Sequence, residues 1–261
     1  MDIYISSSLK EDFAQTVKLA ENLSANIEIC KFADANILDG NLDTELAVFV
    51  DALKDFKGKV SIHGTFTDLN PISKDSRITE LTIHRYKQSL HIAKSLNAET
   101  IVFHTGYNGL VKSAAYHDMF INNQIKFWSE FISVFEDEKI TVALENTYED
   151  TPEVITSLLG SVNSPYLRAC IDTGHVNINS SCNVIEWIDA IGSKLHHMHL
   201  HNNSGRYDDH CSLLSGTLDF KKIIEHLKNQ NLSPGLVIEV FQETPALESY
   251  ELIKSVVNQI L

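Results

Sequence analysis

The sequence predicts a single-domain α/β protein, a (β/α)8 barrel, on three observations. The chain has 261 residues, which suits one hydrophobic core and is close to the usual size of such a barrel. Eight short β-rich runs alternate with amphipathic helical stretches, and that order implies parallel pairing through right-handed crossovers. After the first run the chain reads ISSSLKED. It lacks a Gly-rich dinucleotide turn, which favours a closed barrel over a doubly wound sheet.

The strand runs are DIYIS at 2–6, NIEICKF at 26–32, KVSIH at 59–63 and TIVFH at 100–104. ITVALE at 140–145, LRACID at 167–172, LHHMHLH at 195–201 and GLVIEV at 235–240 complete the set. Between them, apolar residues recur at helical spacing. Phe13, Val17, Ala20 and Leu23 mark the first helix, and Ile83, Tyr86, Leu90, Ala93 and Leu96 the third. Leu247, Tyr250, Ile253, Val257 and Ile260 mark the last. Thr151-Pro152-Glu153 reads as a helix start, with Thr151 as N-cap and proline at the first position, and Thr244-Pro245 opens the last helix in the same way. No linker, low-complexity tract or short repeat interrupts the pattern, so residues 1–261 form one domain.

The formal net charge is −14. That opposes a broad grip on a phosphate backbone, which needs Lys and Arg, although bound divalent cations would add positive charge locally. Nucleic acid is therefore disfavoured as a partner. No stretch is long or apolar enough to span a bilayer, and the N-terminus has no signal-peptide pattern. A cytoplasmic protein is expected. Cys30, Cys170, Cys182 and Cys211 form no C-x-x-C pair and read as free thiols.

Barrel active sites are built from the C-terminal ends of the strands and the loops beyond them. Strand three ends in His63, strand four in His104, strand five in Glu145-Asn146 and strand six in Asp172-Thr-Gly-His175. Strand seven carries His197, His199 and His201 at alternate positions and leads to Asp208 and His210, and strand eight ends in Glu239. Taken singly, each has a plain structural reading, as a hydrogen-bonding His, a paired Glu, a capping Asp or a solvated loop acid. Convergence changes this. Six successive strands deliver imidazoles and carboxylates to one end, and such a set suits Zn, Mn, Fe or Co. A bound divalent cation also removes the repulsion among clustered carboxylates. His84 and His91 on a helix, His117 in a polar loop and His226 on the seventh helix are read as structural. His196 is expected to point away from the face of its neighbours, because strand side chains alternate.

The motifs IHGTFTDLNP, VFHTGY, LENTYED, IDTGHVN, MHLHNN, DDH and VIEV resemble those of the xylose isomerase-like TIM barrels. The resemblance runs from strand one to strand eight. That superfamily holds sugar isomerases, sugar-phosphate and ketose epimerases, inosose-processing enzymes and type-IV abasic-site endonucleases. In the endonuclease branch nine side chains hold three zinc ions. Those roles carry over to His63, His104, Glu145, Asp172, His175, His199, Asp208, His210 and Glu239. In the ketose epimerase branch one metal is held by Glu145, Asp172, His199 and Glu239, with His175 facing the substrate. The resemblance thus implies one to three divalent ions, zinc or manganese. This chain departs from the family's HLHDN after strand seven, reading HLHNN with Asn202 in place of the acid. The Arg-rich loops of a DNA-cleaving member are missing, and FADANILDGN after strand two carries acids and no Arg or Lys.

Two chemistries fit. In the first, a metal-dependent sugar or sugar-phosphate isomerase or epimerase, a metal polarises the substrate carbonyl while Glu145 and Glu239 take and return the proton. Arg206 would hold a substrate hydroxyl or phosphate, and Phe66 would wall the pocket or stack on the substrate. In the second, a multi-zinc phosphoester hydrolase, Glu145 bridges two ions about 3.5–4 Å apart. The acidity of the chain and its loops favours the first. A non-catalytic metal-binding barrel is a minor third reading. A homodimer is compatible with a barrel of this size, though no interface is legible.

Overall fold

In the computed structural model, which describes residues 1–258, eight parallel strands close into a barrel in sequence order. They are β1 (Ile3–Ser6), β2 (Asn26–Ile29), β3 (Val60–His63), β4 (Thr100–His104), β5 (Thr141–Glu145), β6 (Leu167–Asp172), β7 (Leu195–Leu200) and β8 (Gly235–Ile238). β1 pairs with both β2 and β8, which closes the ring. The helices are α1 (Phe13–Leu23), α2 (Ala35–Asp39), α3 (Leu42–Leu53), α4 (Ser76–Ser95), α5 (Ala114–Phe131) and α6 (Ser133–Glu136). α7 (Glu153–Val162), α8 (Thr173–Asn179), α9 (Val184–Ile191), α10 (Phe220–Asn229) and α11 (Glu243–Asn258) follow. None of them is long and apolar enough to cross a membrane.

The eight predicted strands all form. The second, seventh and eighth stop short of their predicted ends. Cys30 is followed by a 3-10 turn over Lys31–Ala33, and Glu239 lies just past the end of β8, still held by its N–H to the Leu200 carbonyl at 3.0 Å. Thr151 does not cap a helix. α7 starts at Glu153, with Pro152 in the cap position and no side-chain cap bond. Thr244 and Pro245 fall within the first turn of α11, and Ile260 lies outside the described residues. His117 sits on α5 rather than in a loop.

The strand pleat divides the molecule into two interiors. Ile5, Ile27, Ile62, Ile101, Phe103 and Ile238 turn outward and join the large apolar core beneath the helices. Each large apolar side chain buried there contributes about 1.5–3 kcal/mol. The inward positions carry polar groups, and a small separate cluster of Val102, Ala143 and Cys170 is their apolar share. The four cysteines are free, with Cys170 buried inside the barrel.

Alternation fails at one predicted position. The β6–β7 register jumps from Ala169↔Leu195 to Cys170↔His197, so His196 occupies a bulge. Its Nε2 lies 2.9 Å from Thr100 Oγ1 on β4, and its ring stacks on that of His197. It faces the floor of the barrel instead of pointing away.

Candidate metal centre

The cluster is built from strand ends because parallel strands in register lift their last inward residues to one level. His104 is in register with Glu145, and Asp172 with His199. His63 closes β3, and Glu239 follows β8 directly. Asp172 also caps α8, accepting the His175 N–H at 2.6 Å. That cap turns the chain so that His175 returns over the barrel mouth. Asp172 thus acts as a cap and also stands in the cluster.

The nine side chains form one continuous set. His63 Nε2 and His104 Nε2 each lie 3.3 Å from Glu145 Oε2. His199 Nδ1 lies 3.3 Å from Glu145 Oε1 and 3.4 Å from Glu239 Oε2. His175 and His210 each bring Nε2 to 3.3 Å from Asp208 Oδ2. Donor atoms of Glu145, Asp172, His199 and Glu239 all fall within 4.8 Å of one another, as do those of His63, Glu145 and His199.

The donor set suits a divalent cation. Glu145 Oε2 and His199 Nδ1 are buried without a hydrogen-bond partner, which is costly unless another ligand satisfies them. Three histidines are also set in the tautomer a metal requires. Nδ1 of His63, His175 and His210 lies 2.9, 3.0 and 2.8 Å from the carbonyls of Gly64, Asn146 and Glu239. A carbonyl only accepts, so each Nδ1 carries a hydrogen, and each Nε2, facing the acids, is the atom that an ion would take once its own proton is displaced.

The electrostatics are those of an acid cluster wrapped in imidazole. Burial raises the Glu145 carboxyl, but His199 and His104 outweigh it and hold it well below the usual carboxylate range. Asp172 is likewise driven down, burial being overcome by His175 and His201. The histidines move the other way. Burial lowers His210, yet Asp208 and Glu239 push it up to about 9, and His199 rises well above its ordinary value because Cys170, Glu239, Glu145 and Glu28 outweigh its burial.

Sequence reasoning passed over four residues here. His201, named on β7 but given no role, is wholly buried. Its Nε2 lies 3.1 Å from Asp172 Oδ1, and its ring stacks on His210 at 3.8 Å. Gly174 makes room for it, since a Cβ there would fall 1.9 Å from His201 Cε1. Asn146 clamps β5 to β6, accepting the Asp172 N–H at 2.9 Å and donating to its carbonyl at 3.1 Å. Glu28 lies deeper in the barrel against His199; an acid between two isoleucines in a strand was the available signal. Phe241 lines the mouth beside His210. Asn202, the departure from HLHDN, faces away from the cluster. It accepts the Asn203 and Leu218 N–H groups and donates to the Leu213 carbonyl, which orders the loop after β7.

Above the cluster lies a cavity of ≈ 650 Å³ walled by Cys30, Phe66, Arg85, Glu239 and Phe241. It adjoins a second of ≈ 600 Å³ that reaches Tyr107 and Tyr148. Phe66 is 40% exposed, lines both, and stacks on His104 at 4.5 Å. Arg206 is exposed on the loop after β7 and is absent from both walls. The guanidinium that does reach the first cavity, Arg85, is held bidentately by Asp39 at 2.6 and 2.7 Å.

The profile of the family described as xylose isomerase-like TIM barrel matches residues 19–256. An uncharacterized protein of Methanocaldococcus jannaschii is 27% identical over 94% of this chain and 88% of its own length. Among solved structures, a D-tagatose 3-epimerase-like protein is 25% identical, covers 98% of this chain and 97% of its own, and superposes with a TM-score of 0.82. The IolI protein, solved with a bound zinc atom, shares the fold at 15% identity, with a TM-score of 0.79 and 100% and 99% of the two chains covered.

Proposed function

The chain belongs to the xylose isomerase-like TIM barrel family, and from that premise we propose that it is a divalent-metal-dependent sugar isomerase or epimerase. The observation that carries the reading is the convergence of Glu145, Asp172, His199 and Glu239 within 4.8 Å at the barrel mouth, beneath a cavity of small-molecule size. The D-tagatose 3-epimerase-like neighbour and the zinc atom of the IolI structure support the same direction.

Glu145, Asp172, His199 and Glu239 would hold the ion. Bound there, it would supply a Lewis acid that polarises a substrate carbonyl. The two glutamates flank the place where the substrate sits, one to take the proton from the carbon beside the carbonyl and the other to return it. His175, over the mouth, would contact substrate oxygens. Phe66 and Phe241 would give the sugar an apolar wall and help exclude water. A free sugar and a sugar phosphate both remain within the proposal, and Arg206, outside both cavities, would have to move to contact either. The protein would be cytoplasmic, and a homodimer is compatible with the reading.

The test is proton exchange. The zinc- or manganese-loaded protein is incubated with a panel of ketoses and ketose phosphates in heavy water, and the sugars are analysed by mass spectrometry. Deuterium gained at one carbon, with appearance of an isomer, is expected. No exchange with any ketose in a fully metal-loaded protein would count against the reading.

A multi-zinc phosphoesterase is the second reading. Its specific support is that His63 and His104 crowd Glu145 on one side, while His175, Asp208 and His210 form a set on the other. Elemental analysis separates the two. Three zinc ions per chain, with cleavage of an abasic-site oligonucleotide or a small phosphodiester, would replace the first reading with the second.

A further inference from the structure

One ligand histidine is anchored unlike the others. Nδ1 of His63, His175 and His210 is tied to a backbone carbonyl, and Nε2 meets the cluster. His199 is reversed. Its Nδ1 faces Glu145 and Glu239 at 3.3 and 3.4 Å, so its Nε2 points back into the barrel. There it meets a carboxylate: Glu28 Oε1 lies 2.9 Å away, a charge contact whose two atoms are close but not aligned as a hydrogen bond.

Glu28 sits in β2 between Ile27 and Ile29, which face the helices, and it is wholly buried. A carboxylate in such a place needs partners. Ser61 Oγ donates to Oε2 at 2.8 Å, and His197 Nε2 lies 3.5 Å from the same oxygen. The chain keeps space for that arrangement. A Cβ at Gly235 would stand 2.7 Å from His197 Cε1, and the Tyr4 ring packs 5.0 Å from the His197 ring. Ser61, His197 and His199, which contact Glu28, are all inward-facing strand residues.

We propose that Glu28 is the positioning residue of the metal centre: it holds His199 with the hydrogen on Nε2 and the Nδ1 lone pair aimed at the ion. Glu28 does for His199 what main-chain carbonyls do for the other three. A carboxylate behind a ligand imidazole fixes its tautomer and orientation and strengthens it as a donor. The Ser61 hydroxyl, donating to Oε2, keeps the carboxylate from turning away. The inference rests on the metal reading above and adds to it a residue outside the nine-member set.

The test uses zinc alone and the full chain. Calorimetric titration gives the zinc Kd of the wild type, Glu28→Ala and Glu28→Gln, and thermal melts of the metal-free forms are recorded in parallel. Nitrogen-15 spectra of histidine-labelled, zinc-loaded protein, assigned with His199→Gln, report which ring nitrogen of His199 carries hydrogen. The expected result is hydrogen on Nε2 in the wild type. The zinc Kd should weaken by about 10–100-fold in Glu28→Ala and by less in Glu28→Gln. Zinc bound by the wild type with unchanged Kd in the variants, or with hydrogen on Nδ1 of His199, overturns the role of Glu28 while sparing the metal reading. A lowered melting temperature with unchanged Kd means a structural role and overturns it as well. Absence of zinc binding in the wild type overturns the metal reading, and this inference with it. If Glu28→Ala does not fold, Glu28→Gln and the wild-type spectrum still decide.

Discussion

The two faces of the barrel strands are built from opposite chemistries, often within three residues. In β2, Ile27 and Ile29 join the apolar layer beneath the helices, while Glu28 between them enters the barrel. In β4, Phe103 stacks on Tyr86 at 4.0 Å on the outside, and His104, one residue later, stands 3.3 Å from Glu145 inside. Barrel interiors are usually filled with branched apolar side chains. Here acids and imidazoles fill much of that space. The contrast assigns different tasks to the two faces. The outer layer holds the barrel closed and makes an expensive interior tolerable, and the inner one holds charge at a mouth open to a cavity of ≈ 650 Å³.

The comparison can be broken most directly from the inside. Glu145→Gln and Glu239→Gln should each lower turnover by roughly 10²–10⁴-fold, the scale of a lost acid or base, or more where the metal is lost too. The far-ultraviolet dichroism should stay native. Near-full turnover in either variant, with the substrate found by deuterium exchange, would remove the cluster from the chemistry.

The outer face should respond the other way. Phe103→Ala deletes a fully buried ring and should cost about 3–5 kcal/mol in urea denaturation. The zinc Kd of the protein that remains folded should not move. A large change in Kd would show that the two faces are not separable at β4.

His210→Ala sharpens the inner face. His210 contacts Asp208 and Glu239 but stands outside the four-ligand set. An isomerase using one metal should keep turnover within about tenfold, roughly 1.4 kcal/mol in the barrier. Collapse of turnover together with loss of bound zinc would favour the multi-zinc reading.

The smallest effect is on the pH dependence of the metal-free chain. His210 is raised from 6.5 to about 9, so its contribution to stability is complete below pH 6.5 and is lost as the pH rises through about 9. Glu28 is lowered from 4.5 to about 2, since His199, His197 and His63 outweigh burial. Its contribution is present above pH 4.5 and is lost as the pH falls towards 2. Urea midpoints of the metal-free protein should therefore fall on both sides, and His210→Ala should flatten the alkaline limb. An unchanged alkaline limb in that variant would mean that His210 is not held protonated by Asp208 and Glu239.

Much of this was legible before the structure. Eight runs with β-rich composition became eight strands, and strand ends bearing His, Asp or Glu met at one mouth. The failures have specific physical causes. His196 was assigned by strict alternation, and a bulge between Ala169 and Cys170 reversed it. His117 looked like a loop residue because its neighbours are polar, yet polar residues suit the exposed side of α5. Thr151 resembled an N-cap, and the chain began α7 later. Arg206 looked available for substrate because of its loop, but its loop position does not bring it to either cavity wall. Glu28 went unassigned because a single acid in a strand carries no sign of its partners, which lie 33 and more residues away.

What the sequence determined by itself was the barrel and nine members of the cluster, without His201, which shares two of its candidate ligand groups. Period-2 strands and period-3.6 helices are local properties, and parallel closure places every strand end on the same side. Which nitrogen of each histidine faces the acids was decided only by tertiary structure. For His175, His210 and His199 that depends on the Asn146 and Glu239 carbonyls and the Glu28 carboxylate behind the rings, groups far apart in the chain that become neighbours only when the barrel closes; for His63 the carbonyl is that of the next residue, Gly64.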